Sequence, residues 1–277
     1  MNTPDPLFKI AKIIRSVQRT KALNEEVKAF FKSDDHGVIP DFKTEPRYLL
    51  IKAFSRSLPP TEWSLDIGEI LYQFRSTLDH LACKLTEDNG QIVNSGVEFP
   101  ICGKPEDFRK SDGTLVWKVN RQIGSMSFAH QALIESEQPF KGKYGLPEDD
   151  PLLILHDLAR YDRHRNLHLV STTIREGREE FDPAWFADRY FTQVSANYGQ
   201  AFEGETEVAR YSIDPSAYEA VPNVEVQVKA NVTFTIAFDK EWPGAGRPVI
   251  STLGAIGDRV ARLVGRFYGD ASVDIAL

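Results

Sequence analysis

Cysteine is nearly absent. The 277 residues contain two, Cys83 and Cys102, and these make neither a CxxC pair nor a metal-ligand series. A disulfide framework and a thiolate metal centre are therefore excluded as organising devices, and both thiols are expected to be reduced. Long hydrophobic runs are missing too: nothing approaches the roughly 20 apolar residues that span a bilayer. The opening stretch, MNTPDPLFKIAKIIRSVQRT, is amphipathic and has no apolar segment followed by a small-residue cleavage site. A cytoplasmic location without membrane contact is the expectation. A basic excess is also lacking, because the formal net charge is −7. That argues against broad nonspecific nucleic-acid binding. It leaves room for a local basic cleft, with Arg160, Arg163 and Arg165, or Arg259, Arg262 and Arg266, as its sources. No GxSxG, no P-loop lysine and no Rossmann glycine spacing occurs. Gly244 and Gly246 read as a turn before the last helix.

What is present is enough apolar residue, 42% of the chain, to bury a sizeable core. Asp5 and Pro6 open a helix predicted to run to Lys32, with Ile10, Ile14, Val17, Leu23, Val27 and Phe30 at helical spacing. SDDHGVIPDFKTEP reads as a loop and RYLLIKAFSRSL as a strand. A second helix is predicted over Ser64–Glu87, where Ile67, Ile70, Leu71, Phe74, Leu78, Leu81 and Leu85 form one apolar stripe. VEFPICGKPEDF reads as a short extended piece. Further helices are predicted over Arg121–Glu135 and from Pro151, capped by Asp150, to about Asn166. The period then changes to two. LVSTTIREG, RYFTQVSANYG and TEVARYSID read as strands, GREEFDPAWFA as a loose connection. Val224 to Phe238 alternates apolar and polar residues, the pattern of a long strand or a bent pair with one wet face. A last helix covers Ser251–Tyr268. Helices, then strands, then one helix predict an α+β fold: an N-terminal helical bundle with a C-terminal antiparallel sheet. One continuous domain over 1–277 is expected, with 1–168 mainly helical and 169–277 holding the sheet and final helix.

One stretch of the second helix carries candidate chemistry. With the apolar stripe at zero, Arg75 falls at about 80°, Asp79 at about 120°, Ser76 at about 180° and His80 at about 220°. All four therefore avoid the centre of the stripe, and Arg75 and His80 are read as lying on the polar side of the helix. Two readings remain open. Arg75 and Asp79 make an i,i+4 surface ion pair beside a solvated histidine. Alternatively, His80 moves a proton near neutral pH while Arg75 holds a phosphate.

Arg75-Ser76-Thr77-Leu78-Asp79-His80 resembles the Arg-x4-6-His motif of the HEPN superfamily (higher eukaryotes and prokaryotes nucleotide-binding), which sits on a helix of a small bundle. The resemblance implies a metal-independent endoribonuclease of the toxin or phage-defence kind. It also implies a homodimer, single-stranded RNA as substrate, no cofactor, and Arg75 and His80 as catalytic positions.

A second polar concentration, HDLARYDRHRNLH, lies at 156–168. Helical steps from Ile154, Leu155 and Leu158 carry Asp162 and Arg165 to the inward face, where charges need partners; the alternative is that this last turn extends beyond the core and leaves both in water. The polar side of the second helix is one candidate neighbour, which makes Asp79, Asp162 and Arg165 supporting residues. His164 and His168, spaced i,i+4, are a weaker alternative as metal ligands. The rival to the enzyme reading is a non-enzymatic binding protein that presents the polar row of the sheet to a partner.

Overall fold

The computed structural model describes residues 6–45, 47–163, 167–176, 179–220, 226–239 and 243–268. In chain order the elements are α1 (Pro6–Phe30), β1 (His36–Asp41), β2 (Tyr48–Ser55), α2 (Thr61–Asp88), α3 (Pro105–Phe108), α4 (Trp117–Ile123), α5 (Phe128–Ser136) and α6 (Pro151–Asp162). They continue with β3 (Leu169–Arg175), β4 (Glu180–Asp182), α7 (Ala184–Tyr190), β5 (Phe191–Ala196), β6 (Gly204–Ile213), α8 (Ser216–Ala220), β7 (Gln227–Lys229), β8 (Val232–Phe238) and α9 (Val249–Tyr268). The fold is α+β, and the described strands pair antiparallel. No described helix is long and apolar enough to cross a membrane.

Two compact units emerge from the contacts within the chain. One comprises Met1–Leu23, Glu62–Leu167 and Ile250–Leu277, the other Asn24–Thr61 and His168–Val249. The units are interleaved along the chain and do not follow a single cut near residue 169. The pairing of β2 with β6 draws the early hairpin into the sheet unit, and α9 rejoins the helices.

The helical unit is built on the stripe of α2. Ile67, Ile70, Leu71, Phe74, Leu78, Leu81 and Leu85 are at most 2% exposed, and burial of each such side chain contributes about 1.5–3 kcal/mol. Helix α9 buries Leu253, Ile256, Val260, Leu263 and Val264. A Cβ on its Gly257 would lie 3.1 Å from Phe74 Cζ and 3.6 Å from Val17 Cγ2, so the missing side chain lets three helices approach closely. The helix predicted over 121–135 is two helices. α4 ends at Gly124, and Ser127 starts α5 by accepting a hydrogen bond from the His130 backbone N–H. Asp150 caps α6 as expected, accepting from the Leu152 N–H at 2.8 Å. α6 ends at Asp162, short of Asn166.

The sheet unit holds a sheet of order β1-β2-β6-β5 and two separate ladders, β3-β8 and β4-β7, among the described residues. β1 lies within the stretch read as a loop. Its Pro40 stands opposite Ile51, and proline is tolerated there because β1 is an edge strand. Leu49, Ile51, Val208, Ala209 and Phe186 belong to its core. Phe186 comes from α7, a helix that begins in the stretch read as a loose connection and takes in Arg189 and Tyr190, the first two residues of the stretch read as a strand, so that β5 begins at Phe191. The alternating run proves to be a bent pair: β7 joins β4 while β8 joins β3. Residues 224 and 225 lie outside the described residues. The wet face does not persist, because Thr235 and Ala237 are buried alongside Ile236 and Phe238. Gly244 and Gly246 form the turn expected of them, with φ of 78° and 69°.

Candidate active site

Arg75 does not lie on a wet face. Its residue exposure is 7%, because the irregular segment after α2 lies over it. Arg75 Nη2 donates to the Phe99 carbonyl at 2.8 Å, and the Phe99 N–H donates to Asp79 Oδ1 at 3.0 Å. The predicted i,i+4 pair forms, with Nη2 3.0 Å from Asp79 Oδ1 and side-chain exposures of 9% and 30%. Phe99 lies outside any regular element, so these side chains supply the partners that a sheet would otherwise supply to its backbone. Gln138 does the same one step on, donating to the Pro100 carbonyl at 2.9 Å and accepting from the Cys102 N–H at 2.9 Å.

Burial dominates the electrostatics of the pair. It lowers the pKa of Arg75, against the raising effects of Asp79 and Glu98. It raises that of Asp79, against Arg75 and the Phe99 N–H. The attraction does not fully offset the loss of water, as is usual for buried ion pairs. Arg75 Nη1 is buried and has no hydrogen-bond acceptor among the described residues.

Two cavities of the helical unit share Arg75, Glu98 and Arg163 in their walls. The smaller, about 360 Å³, is also lined by Tyr72, Ser76, Asp79, His80 and Asp162. His80 is half-buried there. Asp162 comes from the last turn of α6 and meets the polar side of α2, one of the candidate neighbours considered for it. Burial raises the Asp162 pKa. Ser76 Oγ accepts from Lys12 Nζ at 3.0 Å, and burial lowers the pKa of that lysine. Lys12 is a contributor from α1 that spacing within α2 could not reveal.

The larger cavity, about 790 Å³, takes His156, Asp157 and Arg160 from α6 and Lys118 from α4. The His156 pKa is pushed down to about 4, first by burial and then by Arg75, Lys118, Arg160 and Arg163. Its imidazole is therefore neutral at pH 7 and sits in a positive field. Arg160 and Arg163, for which the sequence left room in a local basic cleft, line this cavity together with the carboxylates of Glu98, Glu106, Asp107 and Asp157. His156 was overlooked as a site residue; the signal was its place one residue off the apolar face of α6, beside those arginines. Asp157 is raised by burial and lowered by Arg160. Cys102 and Cys83 are free thiols, with burial pushing Cys102 up to about 11.

His164 and Arg165 lie outside the described residues. His168 does not continue α6. It stands just before β3 in the sheet unit, with Nδ1 2.9 Å from Asp239 Oδ2, so helical i,i+4 spacing does not apply to it. Among the described residues no group of three or more His, Cys, Asp or Glu side chains is placed to hold a metal ion. No protein-family model matches the chain, and no curated protein or solved structure matches it.

Proposed function

We propose that the smaller cavity cleaves single-stranded RNA without a metal ion, in the manner of the HEPN ribonucleases whose motif Arg75–His80 resembles. Arg75 holds the scissile phosphate and His80 acts as general acid/base. The 2′-hydroxyl attacks phosphorus, the bond to the 5′-oxygen breaks, and a cyclic phosphate and a free 5′-hydroxyl result. Asp79 fixes the guanidinium, and Asp162 supports the wall opposite Gly68. A homodimer and a role as a toxin or defence effector belong to the same reading.

The observation that carries it is the state of Arg75. One end of the guanidinium is held by Phe99 and Asp79, and Nη1 lacks an acceptor among the described residues in the wall that Arg75 shares with His80. A guanidinium fixed in advance in the wall of a site is the arrangement electrostatic catalysis uses. The test is RNA cleavage in EDTA by the purified protein and by His80→Ala, with sedimentation to establish oligomeric state. Cleavage that disappears in the variant supports the reading. A folded wild-type protein that leaves a broad panel of RNAs intact returns Arg75 and Asp79 to a purely structural clamp, within a protein that binds and does not cut.

A further inference from the structure

We propose that the outer edge of β5 is a docking site for an extended segment of a partner protein. The segment adds as a further strand and places a lysine or arginine side chain in a cavity beside that edge. The residues concerned belong to the sheet unit, so the inference is independent of the ribonuclease reading.

A sheet edge accepts another strand unless something blocks it. The two edges of the β1-β2-β6-β5 sheet differ in that respect. β1 carries Pro40 and Asp41, the latter 2.8 Å from Lys52 Nζ. β5, FTQVSA, has neither proline nor charge and is largely exposed, with Val194 at 56%. No strand pairs with its outer side among the described residues. The Asp214 N–H donates to the Tyr190 carbonyl, and the Ile213 N–H turns the other way to the Arg47 carbonyl, both at 2.9 Å. Inward and outward backbone groups alternate along an antiparallel pair. Thr192, opposite Ser212, therefore turns its backbone toward β6. Gln193, opposite Tyr211, turns its N–H and carbonyl to the open edge. The register shifts just beyond Gln193, so the added strand pairs at Gln193 and not along the whole of β5.

Beside this point lies a cavity of about 350 Å³, near the lower bound of roughly 300 Å³ for small-molecule sites and suited to one side chain. Phe181, Phe191 and Tyr211 wall it, and Phe181 meets the other two rings edge to face at centroid distances of 5.6 and 5.3 Å. Its carboxylates are Glu179 and Asp188, and no described lysine, arginine or histidine lines it. Glu179 is 8% exposed and accepts from the hydroxyls of Tyr198 and Tyr211, the latter at 2.5 Å. Aromatic rings beside carboxylates suit a cation. Directly opposed residues of paired strands share a face of the sheet. The residue opposite Gln193 on an added strand therefore projects to the side of Gln193, which lines the cavity. A second copy of β5 brings no cation to it, because FTQVSA holds none. A basic segment of another protein does.

The test is fluorescence anisotropy of the full-length protein with short labelled peptides of alternating threonine and valine. Lysine, norleucine or glutamate occupies the central position. Gln193→Pro removes the outward N–H and breaks no hydrogen bond of the described sheet. Asp188→Lys reverses an exposed charge. Circular dichroism verifies that both variants are folded. Saturable binding of the lysine peptide is expected, weakened at least about tenfold by central glutamate and by Asp188→Lys, and abolished by Gln193→Pro. Equal binding of the lysine and glutamate peptides overturns the inference, as does undiminished binding by folded Gln193→Pro. A wild-type protein that binds none of the peptides also overturns it, and sedimentation in which Gln193→Pro dissociates a dimer then names a second copy as the occupant of the edge. Both substitutions leave α2 untouched, so RNA cleavage, measured alongside, bears on the ribonuclease reading alone.

Discussion

The carboxylate of Asp162 packs against the bare Cα of Gly68: a Cβ at Gly68 would stand 2.6 Å from Oδ1 and 2.7 Å from Oδ2. α2 and α6 meet at this point because one residue has no side chain and the other has a short charged one. In an exposed helix interior, Gly→Ala stabilises by roughly 0.5–1 kcal/mol. Here overpacking opposes that gain with about 1–3 kcal/mol. Gly68→Ala is therefore expected to destabilise the wild-type background and to stabilise the Asp162→Ala background. Urea unfolding of the four proteins of this double-mutant cycle checks it. The same sign in both backgrounds would show that the close approach does not govern the effect.

Arg75 supplies a second test, separable from catalysis. Arg75→Ala leaves Asp79 partly buried without its cation and the Phe99 carbonyl without a donor. A loss on the order of 3 kcal/mol is expected. Arg75→Lys keeps the charge and loses the planar fork. It is expected to fold with a smaller penalty, yet to cut RNA far more slowly than the wild type. Cleavage at the wild-type rate by Arg75→Lys would show that the forked geometry is not used on substrate.

How much of this was legible in the sequence depends on the range of the interaction. Asp150 before Pro151 announces its helix because a cap acts within three residues, and the α2 stripe declares itself by period. The interruption at Gly124–Ser127 was missed because the flanking residues keep a helical rhythm across it. β1 was missed because Pro40 argues for a loop until its position at a sheet edge is known. The helical wheel puts Arg75 at the edge of the α2 stripe, and the structure buries it there. The segment through Phe99, more than twenty residues on, covers Arg75, and no periodicity within α2 encodes that. Asp162 was drawn toward α2 by its place on the apolar face of α6. Lys12 reaches Ser76 and His156 joins the larger cavity through tertiary packing alone.

The helical unit also carries a buried charge cluster. Glu137 and Arg259 have side-chain exposures of 2% and 3%. Arg259 Nη1 donates to Glu137 Oε2 and Nη2 to the Glu137 carbonyl, both at 2.8 Å. Arg266 and Lys143 also pair with the Glu137 carboxylate. Glu137→Gln removes the carboxylate closest to Arg259 and leaves it Asp150 Oδ1, 3.7 Å from Nε, so a loss of about 3 kcal/mol is expected. Lys143→Ala, at the more exposed end, should shift stability by less than about 1 kcal/mol. Thermal and urea unfolding of the two variants distinguish them. Equal small losses would mean that water reaches Arg259.

His156 gives the protein a measurable response to acid. Its folded-state pKa is lowered to about 4, below the unfolded value of about 6.5. The unfolded chain therefore binds this proton more readily. The contribution to stability is fully present above about pH 6.5 and is lost as the pH falls through 4. The raised pKa values of Asp79, Asp157 and Asp162 act in the opposite sense. Each favours the folded state at acid pH and ceases to do so as the pH rises through its folded value. The histidine effect must be isolated by difference. His156→Gln removes it, and the stability of the wild type relative to this variant is expected to fall by on the order of 2 kcal/mol between pH 7.5 and pH 4.5, after allowance for partial exposure. A pH-independent difference between wild type and variant would mean that His156 titrates in the folded protein as it does in the unfolded chain, and the positive field of the larger cavity would have to be given up with it.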